Sequence, residues 1–315
     1  METMKAVRIH EFGGPEVLRF EEAPRPEPGR GEVLVRVRAT GLNPVDAAMR
    51  SGRMAPKGGM PKGVGLDFSG TIERVGPGVK GSMPGDEVYG RTAFGQPGAE
   101  AEFVVTRVED IAAKPRSLDH VQAAALPTAA LAAWQCLFES AGKPTMDLQP
   151  GQTVLIHGAA GGVGSFAVQL AKWKGAQVIA TAKADDFEYV RSLGADQLID
   201  YTQQRFEDVS PKVDAVLDVV GGETQARSWQ LIKPGGVLVS TVGIQTDEEA
   251  RRGVRAVGIF ALTDRRYLEE IAARVDEGVL KVPVTDVFPL SQARQAHERL
   301  RTTHTRGKIV LSLPS

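Results

Sequence analysis

A run of small residues at a strand-to-helix junction carries the clearest chemical signal in this chain. Thr153-Val154-Leu155-Ile156 leads into His157-Gly158-Ala159-Ala160-Gly161-Gly162-Val163-Gly164. Ser165 to Lys172 then places apolar residues at helical spacing, so the stretch reads as strand, tight turn, helix. Small side chains let the turn be sharp and let a ligand approach the backbone. The first N–H groups of a helix lack acceptors within it and lie at the positive end of its dipole, so a pyrophosphate fits there. Against the G-x-G-x-x-G fingerprint, Ala159 takes the first slot, before Gly161 and Gly164. A strand over 177–181 completes a unit of the roughly 30-residue length that a nucleotide-binding βαβ needs. The plain alternative is a glycine-rich turn without a ligand; the βαβ context weighs against it.

An NAD site places an acid about 20 residues beyond such a turn, on the ribose hydroxyl. Here the second strand ends Ala180-Thr181-Ala182-Lys183, a hydroxyl and a cation instead. That pair suits a 2′-phosphate and predicts NADPH as the coenzyme. The alternative for Lys183 is a solvated loop cation. Asp185 and Asp186 follow closely and are read as helix-capping residues turned away from the phosphate.

These residues need elements to hold them. The chain has 315 residues, more than one core usually serves, so two domains are expected. Strand-like runs at 5–10, 18–21, 32–39, 68–75, 87–90 and 101–105 are separated by Gly/Pro turns and predict an antiparallel, barrel-like first domain. Residues 49–62 read as a mobile Gly/Pro/Met-rich loop. An Ala-rich helix is expected over 118–141. Strands at 153–157, 177–182, 197–199, 215–219 and 237–241 then alternate with helices near 165–174, 186–193, 223–232 and 249–254, the pattern of a doubly wound parallel sheet. A helix over 266–277, a strand at 284–288, a helix over 291–301 and a strand at 308–311 predict a return to the first domain.

Composition narrows the classes. The net charge of −1 gives no reason to expect nucleic acid or an acidic membrane surface as partner. No apolar run reaches the ~18 residues of a membrane span. No cleavable leader is expected ahead of the first strand, and the one cysteine, Cys136, excludes an internal disulfide and a Cys-rich zinc site. A cytoplasmic location is expected.

The motifs together resemble the zinc-independent medium-chain dehydrogenase/reductases, in the quinone oxidoreductase (zeta-crystallin-like) branch. The resemblance spans nearly the whole chain. It rests on the order and spacing of Gly41-Leu42-Asn43-Pro44-Val45-Asp46, Gly65-Leu66-Asp67-Phe68-Ser69-Gly70, Pro84-Gly85-Asp86-Glu87-Val88, the glycine turn, Leu193-Gly194-Ala195-Asp196, Asp218-Val219-Val220-Gly221-Gly222, Lys233-Pro234-Gly235-Gly236 and Gly307-Lys308-Ile309-Val310-Leu311. It implies a GroES-like, β-rich catalytic domain (1–125, completed by 263–315) into which a Rossmann domain (126–262) is inserted, with a cleft between them and a homodimer as the assembly. Zinc-dependent relatives carry Cys, His-Glu and Cys ligands where this chain has Asn43, Leu66-Asp67 and Thr128, so catalytic zinc is not expected. Without a metal to polarise an alcohol, the expected acceptors are quinones and activated C=C bonds such as enones and alkenals.

The same resemblance sets Asn43, Asp46 and Thr128 on the nicotinamide side as candidate catalytic residues. It sets Ala160, Gly161, Gly162 and Val163 at the pyrophosphate, and Tyr201 beside Thr181 and Lys183 at the adenosine phosphate. Val219, Val220, Gly221, Val242 and Gly243 are expected to flank the nicotinamide, at the carboxyl ends of strands. Structural alternatives exist: Asn43 as a turn residue before Pro44, Asp46 as a helix cap, Thr128 as packing. Quinone reductases often carry tyrosines where this chain has Ala48 and Met54, and a Gly-x-Tyr-Ala-Glu motif where it has Gly98-Ala99-Glu100-Ala101-Glu102. No proton donor is identified, and water can supply the proton. Arg50 is a candidate to steer an anionic group, but a surface ion pair is the expected reading. The five histidines are scattered and read as surface or packing residues. The competing functions are a catalytically silent NADPH sensor and an enoyl-thioester reductase; no basic groove for a phosphopantetheine arm is evident.

Overall fold

The computed structural model describes residues 2–55, 58–94, 96, 98–245, 253–302 and 305–314. It divides into two compact units. The first comprises Met1–Thr128, Thr263–Asp276 and Val282–Ser315, and the second Ala129–Leu262 with Glu277–Lys281. Residues 126–128 therefore group with the first unit, and 277–281 return to the second after the chain has left it.

The first unit holds strands β1 (Thr3–Ile9), β2 (Leu18–Pro24) and β3 (Glu32–Gly41), helix α1 (Pro44–Arg50), strands β4 (Lys62–Gly63), β5 (Asp67–Val75), β6 (Glu87–Arg91), β7 (Phe103–Arg107) and β8 (Ile111–Ala113), and helix α2 (His120–Ala124). In β3, Val33, Val35 and Val37 enter a core with Phe68, Ile72, Val88 and Ile111, while Arg36 faces out. Leu34 is buried on the opposite face, so the strand is covered more fully than its alternation implies. The expected Ala-rich helix is broken. Asp119 caps α2 by accepting from the Gln122 N–H at 2.8 Å, and a new helix, α3 (Pro127–Leu137), starts at a proline that disfavours helix in the residue before it. The stretch 49–62, read as a mobile loop, begins inside α1 and ends in β4; residues 56 and 57 lie outside those described.

After the short ribbon β9 (Glu139–Ser140) and β10 (Lys143–Pro144), the second unit follows the expected alternation. Strands β11 (Thr153–Ile156), β12 (Gln177–Ala182), β13 (Gln197–Asp200), β14 (Val213–Asp218), β15 (Ile232–Ser240) and β16 (Arg255–Gly258) are linked by helices α4 (Gly162–Trp173), α5 (Phe187–Ser192), α6 (Phe206–Val209) and α7 (Gly222–Ser228). The sheet is parallel, in order β13-β12-β11-β14-β15-β16. The order reverses at β11, the topological switch point at which such sheets bind ligands. Leu155, Ile179, Val216, Leu238 and Trp229 fill one side of it. The helix expected over 249–254 falls largely on residues outside those described, and Val254 packs into this core.

Helix Arg265–Asp276 and strands β17 (Val284–Pro289) and β18 (Lys308–Ser312) belong to the first unit. There β18 pairs antiparallel with β3 and parallel with β17, joining a seven-stranded sheet. The tail thus supplies strands that the N-terminal segment lacks. No helix among the described residues is long and apolar enough to cross a membrane.

Candidate functional site

In the second unit, β11 ends in the glycine turn. Gly158 has φ +67°, so it, and not the first fingerprint slot, takes the left-handed conformation. That frees the slot for Ala159, which is buried. A Cβ on Gly164 would lie 2.2 Å from the Gly158 carbonyl oxygen and 2.7 Å from the Ala159 Cα, so only glycine lets α4 pack this closely on the turn. Gly161 occupies the N-cap position of α4 in an extended conformation, and no side chain caps the helix. The first-turn N–H groups of Gly162 and Val163, without acceptors inside the helix, are left to a ligand, and Ala160 sits beside them, buried. These residues fit a dinucleotide pyrophosphate.

Thr181, at the end of β12, differs from expectation. It is buried, and its hydroxyl lies 3.1 Å from His157 Nδ1, so it is engaged inside the unit and not offered to a phosphate. His157 also lies 2.9 Å from Ser228 Oγ through Nε2. Burial pushes its pKa down to about 4, which keeps the ring neutral. Lys183 and Tyr201 directly follow the paired residues Ala182 and Asp200, so both emerge at one sheet end. Lys183 is half-buried and Tyr201 is 45% exposed. Asp186 stands at the N-cap of α5 but makes no capping hydrogen bond. It is buried, and its charge adds to the burial that raises the Tyr201 pKa. Asp185 is exposed.

The 219–221 and 242–243 turns follow β14 and β15, neighbours in the sheet. Val220 and Val242 are 53% and 46% exposed, a pair of surface apolar side chains suited to a flat ring. The turns touch: a Cβ on Gly221 would lie 2.9 Å from Val242 Cγ2.

In the first unit, Asn43 and Thr128 are tied together by a residue that the sequence singled out as a zinc-ligand position, and Asp46 joins them through the Asn43 N–H. Asp67 is fully buried at the start of β5. Asn43 Nδ2 donates to its Oδ2 at 2.9 Å, and the Thr128 hydroxyl donates to its Oδ1 at 2.5 Å. The Lys308 ammonium lies 3.8 Å from Asp67 Oδ2 and donates to Asn43 Oδ1 and, at 2.8 Å, to the Leu42 carbonyl. Burial pushes the Lys308 pKa down against the opposing pull of Asp67 and Asp46. Asn43 and Pro44 open α1, and Asp46 Oδ2 accepts from the Asn43 N–H at 2.7 Å, so the helix-start reading of both residues holds alongside any other. Asn43 and Asp46 are buried and bonded internally; Thr128 alone of the three retains partial exposure. Asp46 Oδ1 has no partner, and burial, with Glu100 and Asp67 nearby, raises its pKa well above the usual carboxylate range.

Arg50 is not a surface residue: it is buried, and its guanidinium lies 2.6 Å from His297 Nδ1. His297 Nε2 in turn lies 2.8 Å from Glu100 Oε1, so Glu100, standing in the tyrosine place, is closed into a buried pair. His157 and His297 both sit in buried polar networks, His10 contacts Glu21 at the surface, His120 lies 2.8 Å from Ser69 Oγ, and His304 lies outside the described residues. The signal for Asp67 and Lys308 was available as an ionisable residue within an apolar strand, at Leu66-Asp67-Phe68 and Lys308-Ile309-Val310.

The zinc-ligand positions do not fit a metal. Leu66 has no lone pair, Asn43 and Thr128 donate to Asp67, and Asp67 is occupied by them.

Residues 29–116 match the model of the alcohol dehydrogenase GroES-like domain, and residues 193–311 match that of a zinc-binding dehydrogenase. The chain is 34% identical to a mitochondrial NAD(P)H oxidoreductase, RTN4IP1, of Mus musculus, covering 98% of this chain and 89% of that protein. It is 36% identical to a chloroplastic NADPH-dependent alkenal/one oxidoreductase of Arabidopsis thaliana, covering 98% and 79%. The solved quinone oxidoreductase of Coxiella burnetii superposes with a TM-score of 0.90 at 36% identity, covering 99% of this chain and 100% of that one.

Proposed function

Because this chain belongs to the medium-chain dehydrogenase/reductase family, in its quinone oxidoreductase branch, we propose that it is a zinc-independent, NADPH-dependent enzyme that passes hydride to a quinone or to the activated C=C of an enone or alkenal. The observation that carries this reading is the uncapped N-terminus of α4 over a turn packed too tightly for any residue but glycine at position 164. A relative named as an NAD(P)H oxidoreductase and one named as an NADPH-dependent alkenal/one oxidoreductase support it. Reduced nicotinamide, when bound, supplies the hydride.

The chain's own residues bind and orient. The first-turn N–H groups of α4 hold the pyrophosphate, with Ala160 to Val163 around it. Lys183 and Tyr201 take the adenosine 2′-phosphate, which favours NADPH over NADH. Val220 and Val242 give the nicotinamide an apolar rest. Asp67 holds the Thr128 hydroxyl and backbone N–H, while Asn43 and Asp46 fix the start of α1. Glu100 is paired with His297, so the proton that completes the reduction comes from water.

We further propose a homodimer through the outer edge of β16, which pairs on one side only among the described residues. A cytoplasmic site suits the single free cysteine, Cys136, which is buried. Following NADPH absorbance against a panel of quinones and 2-alkenals tests the function. Turnover with at least one acceptor, and weaker use of NADH, is expected; coenzyme binding without turnover on any acceptor would reject it.

A further inference from the structure

The two turns assigned to the nicotinamide end are joined by a side chain that neither turn contains. Gln225 lies in α7 and is fully buried. Its amide nitrogen donates to Asp218 Oδ2 at 2.7 Å and to the Gly243 carbonyl at 2.8 Å, and its amide oxygen accepts from the Gln245 N–H at 2.8 Å. Asp218, at the end of β14, holds the first turn: its Oδ1 accepts from the Val220 and Gly221 N–H groups at 2.9 and 2.8 Å. Gln245 Oε1 closes the ring by accepting from the Gly222 N–H at 2.8 Å. Ser240 braces the same carboxylate from β15, donating to Asp218 Oδ2 at 3.1 Å and accepting from the Val242 N–H at 3.2 Å.

We propose that Gln225 is a positioning residue for the nicotinamide half of the coenzyme: it locks the 219–221 and 242–243 turns into one platform and so sets the grip on the ring, but not on the adenosine phosphate. This rests on reading those turns as the nicotinamide end. The chemistry asks for glutamine. The position needs two N–H donors and one acceptor in a single plane, and asparagine is a methylene too short to reach from α7. Glutamate loses both donors and sets a second carboxylate against Asp218. Methionine keeps the volume but leaves Asp218, the Gly243 carbonyl and the Gln245 N–H without their partner. In both cases Val220 and Val242 lose their fixed separation, while Lys183 and Tyr201, which follow β12 and β13, share no hydrogen bond with Gln225 or Asp218; the glycine turn meets this platform only at Gly158, which faces Val219 and Val220.

The test compares NADPH with 2′,5′-ADP, which carries the adenosine half alone, by calorimetric titration of the wild type, Gln225→Glu and Gln225→Met. The expected result is a Kd for NADPH raised about tenfold or more in both variants with the Kd for 2′,5′-ADP within twofold of wild type. Retained 2′,5′-ADP binding also certifies that the second unit is folded. Unchanged NADPH affinity in both variants would overturn the proposal. Equal loss of both ligands in both variants would also overturn it, since Gln225 would then serve the fold in general. Failure of the wild type to bind either ligand would overturn the dinucleotide reading itself, and the proposal with it.

Discussion

The Thr128 hydroxyl donates to Asp67 Oδ1 at 2.5 Å, and the Thr128 backbone N–H meets the same carboxylate at 3.0 and 3.1 Å. Two atoms of one residue are thus fixed by one buried acid, which also receives Asn43 and faces Lys308. Asp67→Asn puts an amide donor where these donors converge and leaves Lys308 without its nearest counter-charge. Removing one partner of a buried pair costs about 3 kcal/mol, to be read from urea unfolding midpoints. Misplacing Thr128 lowers kcat by about tenfold. An unchanged kcat in the folded variant would show that Asp67 serves stability only.

Lys183→Ala tests the adenosine end. Removing a cation from the 2′-phosphate lowers kcat/KM for NADPH by about tenfold and leaves kcat/KM for NADH nearly unchanged. Equal losses with both coenzymes would remove Lys183 from the phosphate site.

Gly164→Ala tests the packing of α4 on its turn. The added Cβ, 2.2 Å from a carbonyl oxygen, forces backbone movement, and overpacking of this kind costs about 2 kcal/mol. The Kd for NADPH rises with it, because the N–H groups that hold the pyrophosphate shift. Full affinity in this variant would mean that the phosphates sit elsewhere.

His157 makes a pH-dependent contribution to stability. Its pKa lies at about 4 in the folded chain, below the ordinary value of 6.5. A depressed value means the unfolded chain binds the proton first, so stability is fully present above 6.5 and is lost as pH falls toward 4. The gap corresponds to about 3 kcal/mol. His157→Gln, which keeps a donor and an acceptor for Thr181 and Ser228, has a shallower loss of unfolding free energy over this window than wild type. Parallel slopes would contradict the assignment.

The sequence exposed the parallel sheet because its strands are short apolar runs set between helical patterns, as at Thr153–Ile156 and Gln177–Ala182. It exposed the phosphate turn because Gly161 and Gly164 are local requirements. It did not expose residues whose roles depend on distant partners. Asp67 meets Thr128 across 61 positions, and Arg50 meets His297 across 247, so no spacing rule links them. Thr181 illustrates the reverse case: its place at the strand end suggested a ligand, but His157, just past the end of the adjacent strand, takes its hydroxyl. The break between α2 and α3 was visible in Pro127 yet was masked by the alanine-rich composition around it.

A stopped-flow record of NADPH absorbance with a quinone and with a 2-alkenal, in metal-free buffer containing a chelator, addresses zinc independence and hydride transfer together. Undiminished oxidation of NADPH coupled to reduction of at least one acceptor is the predicted outcome. Coenzyme left unoxidised with every acceptor, or turnover restored only when zinc is added, would contradict it.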